Sequence, residues 1–121
     1  MAMLPTPLHP MTLVTIVAES TIEHRLTTDL RALGANGFTV VEGRGEGTRH
    51  LHASELPGDN VRIETVVPRQ TAERILAHLA ERYFHDYSII AYLTEVAVLR
   101  SEKYAAAQRA DTHRGDVRAG R

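Results

Sequence analysis

Apolar and polar positions alternate in short runs that read as strands, separated by two stretches with helical spacing. Residues 12–18 (TLVTIVA) are β-branched and apolar on both faces. Leu13, Thr15 and Val17 share one face, and Val14, Ile16 and Ala18 share the other. That pattern suits a central strand covered on two sides. Ser20-Thr21-Ile22-Glu23 has the spacing of a capping box, in which the serine hydroxyl and the glutamate carboxylate satisfy each other's amides. The helix that follows repeats Ile22, Leu26, Leu30 and Leu33 along one side, and Gly34 can take the left-handed conformation that ends it.

Residues 38–42 predict a second strand. Residues 61–67 predict a third, with Val61, Ile63, Thr65 and Val67 on one face and Arg62 and Glu64 on the other. Arg62 and Glu64 read equally well as a surface ion pair and as contacts to a ligand or neighbouring copy. Pro68 suits a helix start, and residues 69–84 line up Ala72, Ile75, Leu76, Leu79 and Tyr83. A fourth strand is expected over about 89–99. His24 and His78 fall on the helices and read as surface positions.

The order β-α-β, long loop, β-α-β is the ferredoxin-like α+β arrangement, with both helices on one face of a four-stranded sheet. The first and fourth strands are apolar on both faces. An uncovered apolar sheet face calls for a partner, and a symmetric trimer is one solution. A single domain of this size buries a modest core, which also favours oligomers. The expected organisation is a disordered lead over 1–11, one domain over 12–100 and a flexible tail over 101–121.

Composition narrows the chemistry. Fourteen Lys and Arg against fifteen Asp and Glu leave no strongly basic surface for general nucleic-acid binding. With no cysteine, disulfides, zinc–thiolate sites and cysteine nucleophiles are excluded. No apolar run is long enough to cross a bilayer, and no signal peptide is legible, so a cytoplasmic location without membrane insertion is expected.

The long loop, about 43–60, carries Gly43-Arg44-Gly45-Glu46-Gly47-Thr48-Arg49. Alternating glycines let backbone amides converge on an anion. Thr48 offers a hydroxyl, and Arg44 and Arg49 offer charge-assisted contacts. The pattern is neither a P-loop nor a dinucleotide fingerprint, since both of those open a helix. Composition alone leaves a phosphate cradle and a glycine-rich linker equally open. His50 and His52 would share one side of an extended chain, a pair that could ligate a metal, but with no third ligand apparent they read better as two exposed loop histidines. His85 and Asp86 follow the second helix between aromatic residues, where an acid–base pair and a packed turn are alternatives. No serine–histidine–aspartate set can be assembled, and nothing in the sequence requires catalysis.

Taken as a set, Leu13 to Val17, Gly37-Phe38-Thr39-Val40, Gly45-Glu46-Gly47-Thr48-Arg49 and Tyr83-Phe84-His85-Asp86-Tyr87 resemble the PII-like signalling proteins. Within them, the similarity is greatest to members associated with carboxysomes and with bicarbonate-transporter regulation. The resemblance spans about Thr12 to Arg100. It implies a homotrimer whose clefts between subunits bind adenine nucleotides. The long loop, called the T-loop, then reports the ligand state to a partner. Carried over, it assigns nucleotide binding to Gly45, Gly47, Thr48, Arg49, Tyr87, Ser88 and Ile89. It leaves Arg44, Glu46 and His52 as anion, bicarbonate or phosphate contacts. It also implies AMP or ADP as ligands, with cyclic AMP, ATP and bicarbonate as further candidates, and a bicarbonate transporter or carboxysome component as partner. The implied role is regulatory and not enzymatic, with no cofactor or metal.

This chain departs from the pattern in three places. His52 stands where transporter regulators have a second arginine, which makes that contact sensitive to pH. Their cysteine-bearing loop is absent, which points towards the carboxysome-associated members. The lysine that ATP-responsive PII proteins place before the last strand has no counterpart near residues 86–88. Two competitors remain from the residues themselves. One is a metal-responsive trimer of the CutA type using His50 and His52. The other is a small enzyme at the subunit cleft using His85 and Asp86.

Overall fold

The structure, a computed structural model, describes residues 7–45 and 59–99. Strand β1 (His9–Glu19) leads through a 3-10 turn (Ser20–Ile22) into helix α1 (Glu23–Ala32). Strand β2 (Thr39–Gly43), strand β3 (Asn60–Val67), helix α2 (Arg69–Arg82) and strand β4 (Ile89–Val98) follow. The four strands form one antiparallel sheet in the order β2-β3-β1-β4. This is the ferredoxin-like arrangement that the sequence predicts.

Both helices cover the same sheet face. Val14, Ile16 and Ala18 from β1 meet Val61, Ile63 and Val67 from β3 under Ile22, Leu26 and Leu30 of the first helical segment. Ala72, Ile75, Leu79 and Tyr83 close the core from the second. Each fully buried aliphatic side chain of this kind contributes about 1.5–3 kcal/mol relative to exposure. Gly34 has φ +107°, a conformation that L side chains rarely adopt, and so ends α1 as expected. Thr65 is buried on the helix-covered face, where its hydroxyl donates to the Gly37 carbonyl at 2.5 Å.

Three local expectations are corrected. The first strand starts at His9, inside the stretch read as a lead. There His9, Pro10 and Met11 pair with Val98, Ala97 and Val96 of β4. Pro10 lies beyond the end of β3, so only β4 flanks it, an edge position that proline tolerates. The capping box does not form. Ser20 enters a 3-10 turn, and its N–H donates to the Asp59 carbonyl at 2.7 Å. The helix-start positions Glu19 and Ile22 make no side-chain cap bond. Helix α2 ends at Arg82, and Tyr83–Tyr87 instead form turns closed by Asp86 N–H and Tyr87 N–H on the Tyr83 carbonyl.

The opposite sheet face is open and partly apolar. Ile90 is 58% exposed and Tyr92 48%, and Val41 is exposed on the same face at the opposite edge of the sheet. Leu13 and Val17 are only half-covered. Arg62 and Glu64 lie on this face 3.7 Å apart, as a surface ion pair.

Candidate functional site at one end of the sheet

The register brings four strand ends together. Gly43 pairs with Asn60, Asn60 with Glu19, and Ala18 with Ile89. The foot of the long loop and the run before β4 therefore share one end of the sheet. They stand at opposite edges, three strand spacings or about 14 Å apart.

Arg44 and Gly45 follow β2 and are exposed. The Gly45 carbonyl accepts the Asn60 side-chain amide at 3.4 Å, and nothing within 4 Å would meet a side chain on Gly45. The backbone there is open to a ligand. Glu46, Gly47, Thr48, Arg49, His50 and His52 lie outside the described residues. Among the described residues, no group of three or more His, Cys, Asp or Glu is placed to hold a metal ion.

Tyr87, Ser88 and Ile89 are half-buried at the other edge. The Ser88 N–H donates to Glu19 Oε2 at 3.0 Å, and the Thr21 hydroxyl donates to Glu19 Oε1 at 3.1 Å. Arg25 Nη1 donates to the Tyr87 hydroxyl at 2.6 Å, with its guanidinium 5.3 Å from the Tyr83 ring centre and 5.6 Å from that of Tyr87. The Tyr83 hydroxyl donates to Asp29 Oδ2 at 2.6 Å, and His78 Nε2 lies 2.9 Å from the same oxygen. His78 is thus half-buried and engaged, where the sequence suggested plain surface. His85 and Asp86 are exposed in the turn after α2.

Sequence reasoning missed Glu19, Arg25 and Asp29. The available signal was Arg25 and Asp29 at i, i+4 on the polar side of α1, a spacing that serves exposed ion pairs just as well. Arg25, Asp29, His78, Arg82 and Tyr83 line an open groove of about 560 Å³ on the helix side. Of the carried-over nucleotide residues that the structure describes, Gly45, Tyr87, Ser88 and Ile89, none borders it.

The electrostatics follow from these contacts. Burial and the Asp29 bond push Tyr83 up from 10.0 to about 12. Burial of Asp29 favours its neutral form, but the bonds from Tyr83 and His78 outweigh it and hold the carboxyl below 3.8. A depressed carboxylate contributes stability above its unfolded value, and that contribution is lost as pH falls through the folded value. Thermal melts of wild type are therefore expected to drop as pH falls below about 4, with Asp29→Asn showing a shallower acid decline. Parallel acid limbs in the two proteins would remove Asp29 from this account.

The comparisons with known proteins agree with the fold. Residues 11–103 match the family described as Nitrogen regulatory protein P-II. The chain belongs to this PII family. A Thermus thermophilus structure, described as PII-like and signaling, is 47% identical over 80% of this chain and 97% of its own, with a TM-score of 0.69. CPII from Thiomonas intermedia K12, solved with ADP and bicarbonate, is 20% identical over 82% of this chain and 98% of its own, with a TM-score of 0.71. A second CPII structure, with ADP, AMP and bicarbonate, is 20% identical over 76% of this chain and 98% of its own, with a TM-score of 0.67. At that identity the CPII likeness establishes the shared PII fold. Among the described residues, no helix of this PII-family chain is long and apolar enough to cross a membrane.

Proposed function

We propose that this PII-family protein is a regulatory homotrimer that binds AMP or ADP, together with bicarbonate, in clefts between its subunits. The observation that carries the reading is the placement of Gly45 and Tyr87–Ile89 at one end of the sheet but on opposite edges. That separation, about 14 Å within one chain, favours a pocket completed by a second copy. A cyclic assembly that packs the open sheet faces around its axis covers Ile90 and Tyr92, and it sets the β2 edge of one copy beside the β4 edge of the next to complete the pocket. The ADP, AMP and bicarbonate held by CPII support the choice of ligands.

In this reading, phosphate docks on the amides and guanidinium of residues 45–49. Bicarbonate sits near the same positive centre, with Arg44 and His52 as its contacts. Tyr87, Ser88 and Ile89 of the neighbouring copy close the cleft. Through the long loop between β2 and β3, the bound ligand then presents or withdraws a surface for a bicarbonate transporter or carboxysome component. Ligand and partner are coupled reciprocally, so a nucleotide that weakens the partner is weakened by it. The role is regulatory.

Calorimetric titration with AMP, ADP, ATP and cyclic AMP, each with and without bicarbonate, tests this reading. Removing a charge-assisted phosphate contact costs about 1.5–3 kcal/mol, so Arg49→Ala is expected to weaken nucleotide binding about 10- to 100-fold. Absence of binding heat for wild type, or equal affinity in the variant, would count against the proposal.

A further inference from the structure

The last residue of β1 places its carboxylate on the main-chain amide of Ser88, a residue that the nucleotide reading sets at the wall of the ligand cleft. Glu19 Oε2 accepts the Ser88 N–H at 3.0 Å while Oε1 is held by the Thr21 hydroxyl. A carboxylate on a backbone N–H is the same charge-assisted bond that a phosphate oxygen makes there. We propose that Glu19 is an internal stand-in for phosphate at Ser88, and so a specificity-determining residue that grades ligands by their negative charge. The inference rests on the nucleotide reading above.

Three features carry it. First, the bond is made, so a phosphate that seeks the Ser88 N–H must displace Glu19 or sit against it. Second, Glu19 is half-buried, which leaves its charge less screened than that of a surface carboxylate. Third, a second carboxylate lies at the same end of the sheet. Asp59 lends its main-chain carbonyl to Ser20, and its Oδ2 is buried without a hydrogen-bond partner. None of the ion pairs among the described residues includes Glu19 or Asp59. Each further phosphate charge therefore meets repulsion that a neutral side chain at position 19 would relieve.

Glu19→Gln keeps the length and an acceptor oxygen and removes the charge. Wild type and variant are titrated with adenosine, AMP and ADP, after thermal melting establishes that the variant is folded. The expected result is adenosine unchanged within about twofold, AMP tightened several-fold and ADP tightened about tenfold or more. An equal change for all three ligands, or looser ADP binding in the variant, overturns the proposal while leaving the nucleotide reading intact. If wild type binds none of the three, the nucleotide reading fails, and inorganic pyrophosphate then tests Glu19 by itself. With the Ser88 amide resonance as readout, pyrophosphate is expected to act at about tenfold lower concentration on the variant. Equal concentrations for both proteins overturn the stand-in role.

Discussion

Tyr83→Ala is expected to destabilise the fold by about 3–5 kcal/mol, the range for removing a large buried aromatic ring. The ring is 1% exposed and packs 5.8 Å from the Tyr87 ring. It closes one end of the core, and its hydroxyl ties the residue after α2 to Asp29 on α1. Tyr83→Phe separates the two roles. It keeps the ring and leaves the Asp29 carboxylate with His78, so a loss of about 1–3 kcal/mol is expected. The phenylalanine variant should also lose a pH signature. A tyrosine raised to about 12 contributes stability that is full below 10.0 and is lost as pH rises towards 12. Urea denaturation of the three proteins at neutral and alkaline pH checks both points. If alanine proves no more damaging than phenylalanine, the ring's place in the core is misassigned.

Ile90→Asp is expected to convert a three-chain species into single chains with their secondary structure intact. Ile90 stands opposite Val17 in the register, and the next pair on that face is Thr15 and Tyr92. The helix-covered core lies on the other side, so the substitution leaves it untouched. A carboxylate trapped without a partner in an apolar interface carries a desolvation penalty of several kcal/mol, and a symmetric assembly meets it in every copy. Sedimentation velocity gives the mass, and circular dichroism verifies the fold. A wild type that sediments as one chain would end the trimer proposal, as would an Ile90→Asp variant that stays assembled.

The fold was legible because its strands obey a simple rule. Val61, Ile63, Thr65 and Val67 alternate with the more exposed Arg62, Glu64 and Val66, and all four are buried. The α1 and α2 seams repeat at helical spacing onto the same sheet face. Where local pattern and tertiary context competed, context won. Ser20-x-x-Glu23 is a sound capping signature, but the Asp59 carbonyl captured the Ser20 N–H and Glu19 turned to Thr21 and Ser88. The candidate site was only partly legible. That Gly45 and Tyr87–Ile89 share one end of the sheet follows from the topology once the strands are placed. The Arg25–Tyr87 and Asp29–Tyr83 bonds join residues far apart in sequence, and charged positions on an amphipathic helix look alike until the fold selects some of them.

The central position of β1 also bears on how the chain comes to fold. Its flanking strands are the third and last to be made, so a ribosome releases β1 long before either arrives. Sequence-distant pairings of this kind raise contact order and slow folding relative to helical domains of similar size. During translation, Val14, Ile16 and Ala18 belong to a nascent apolar strand with both edges bare, a ready target for chaperones and for misassociation between neighbouring nascent chains.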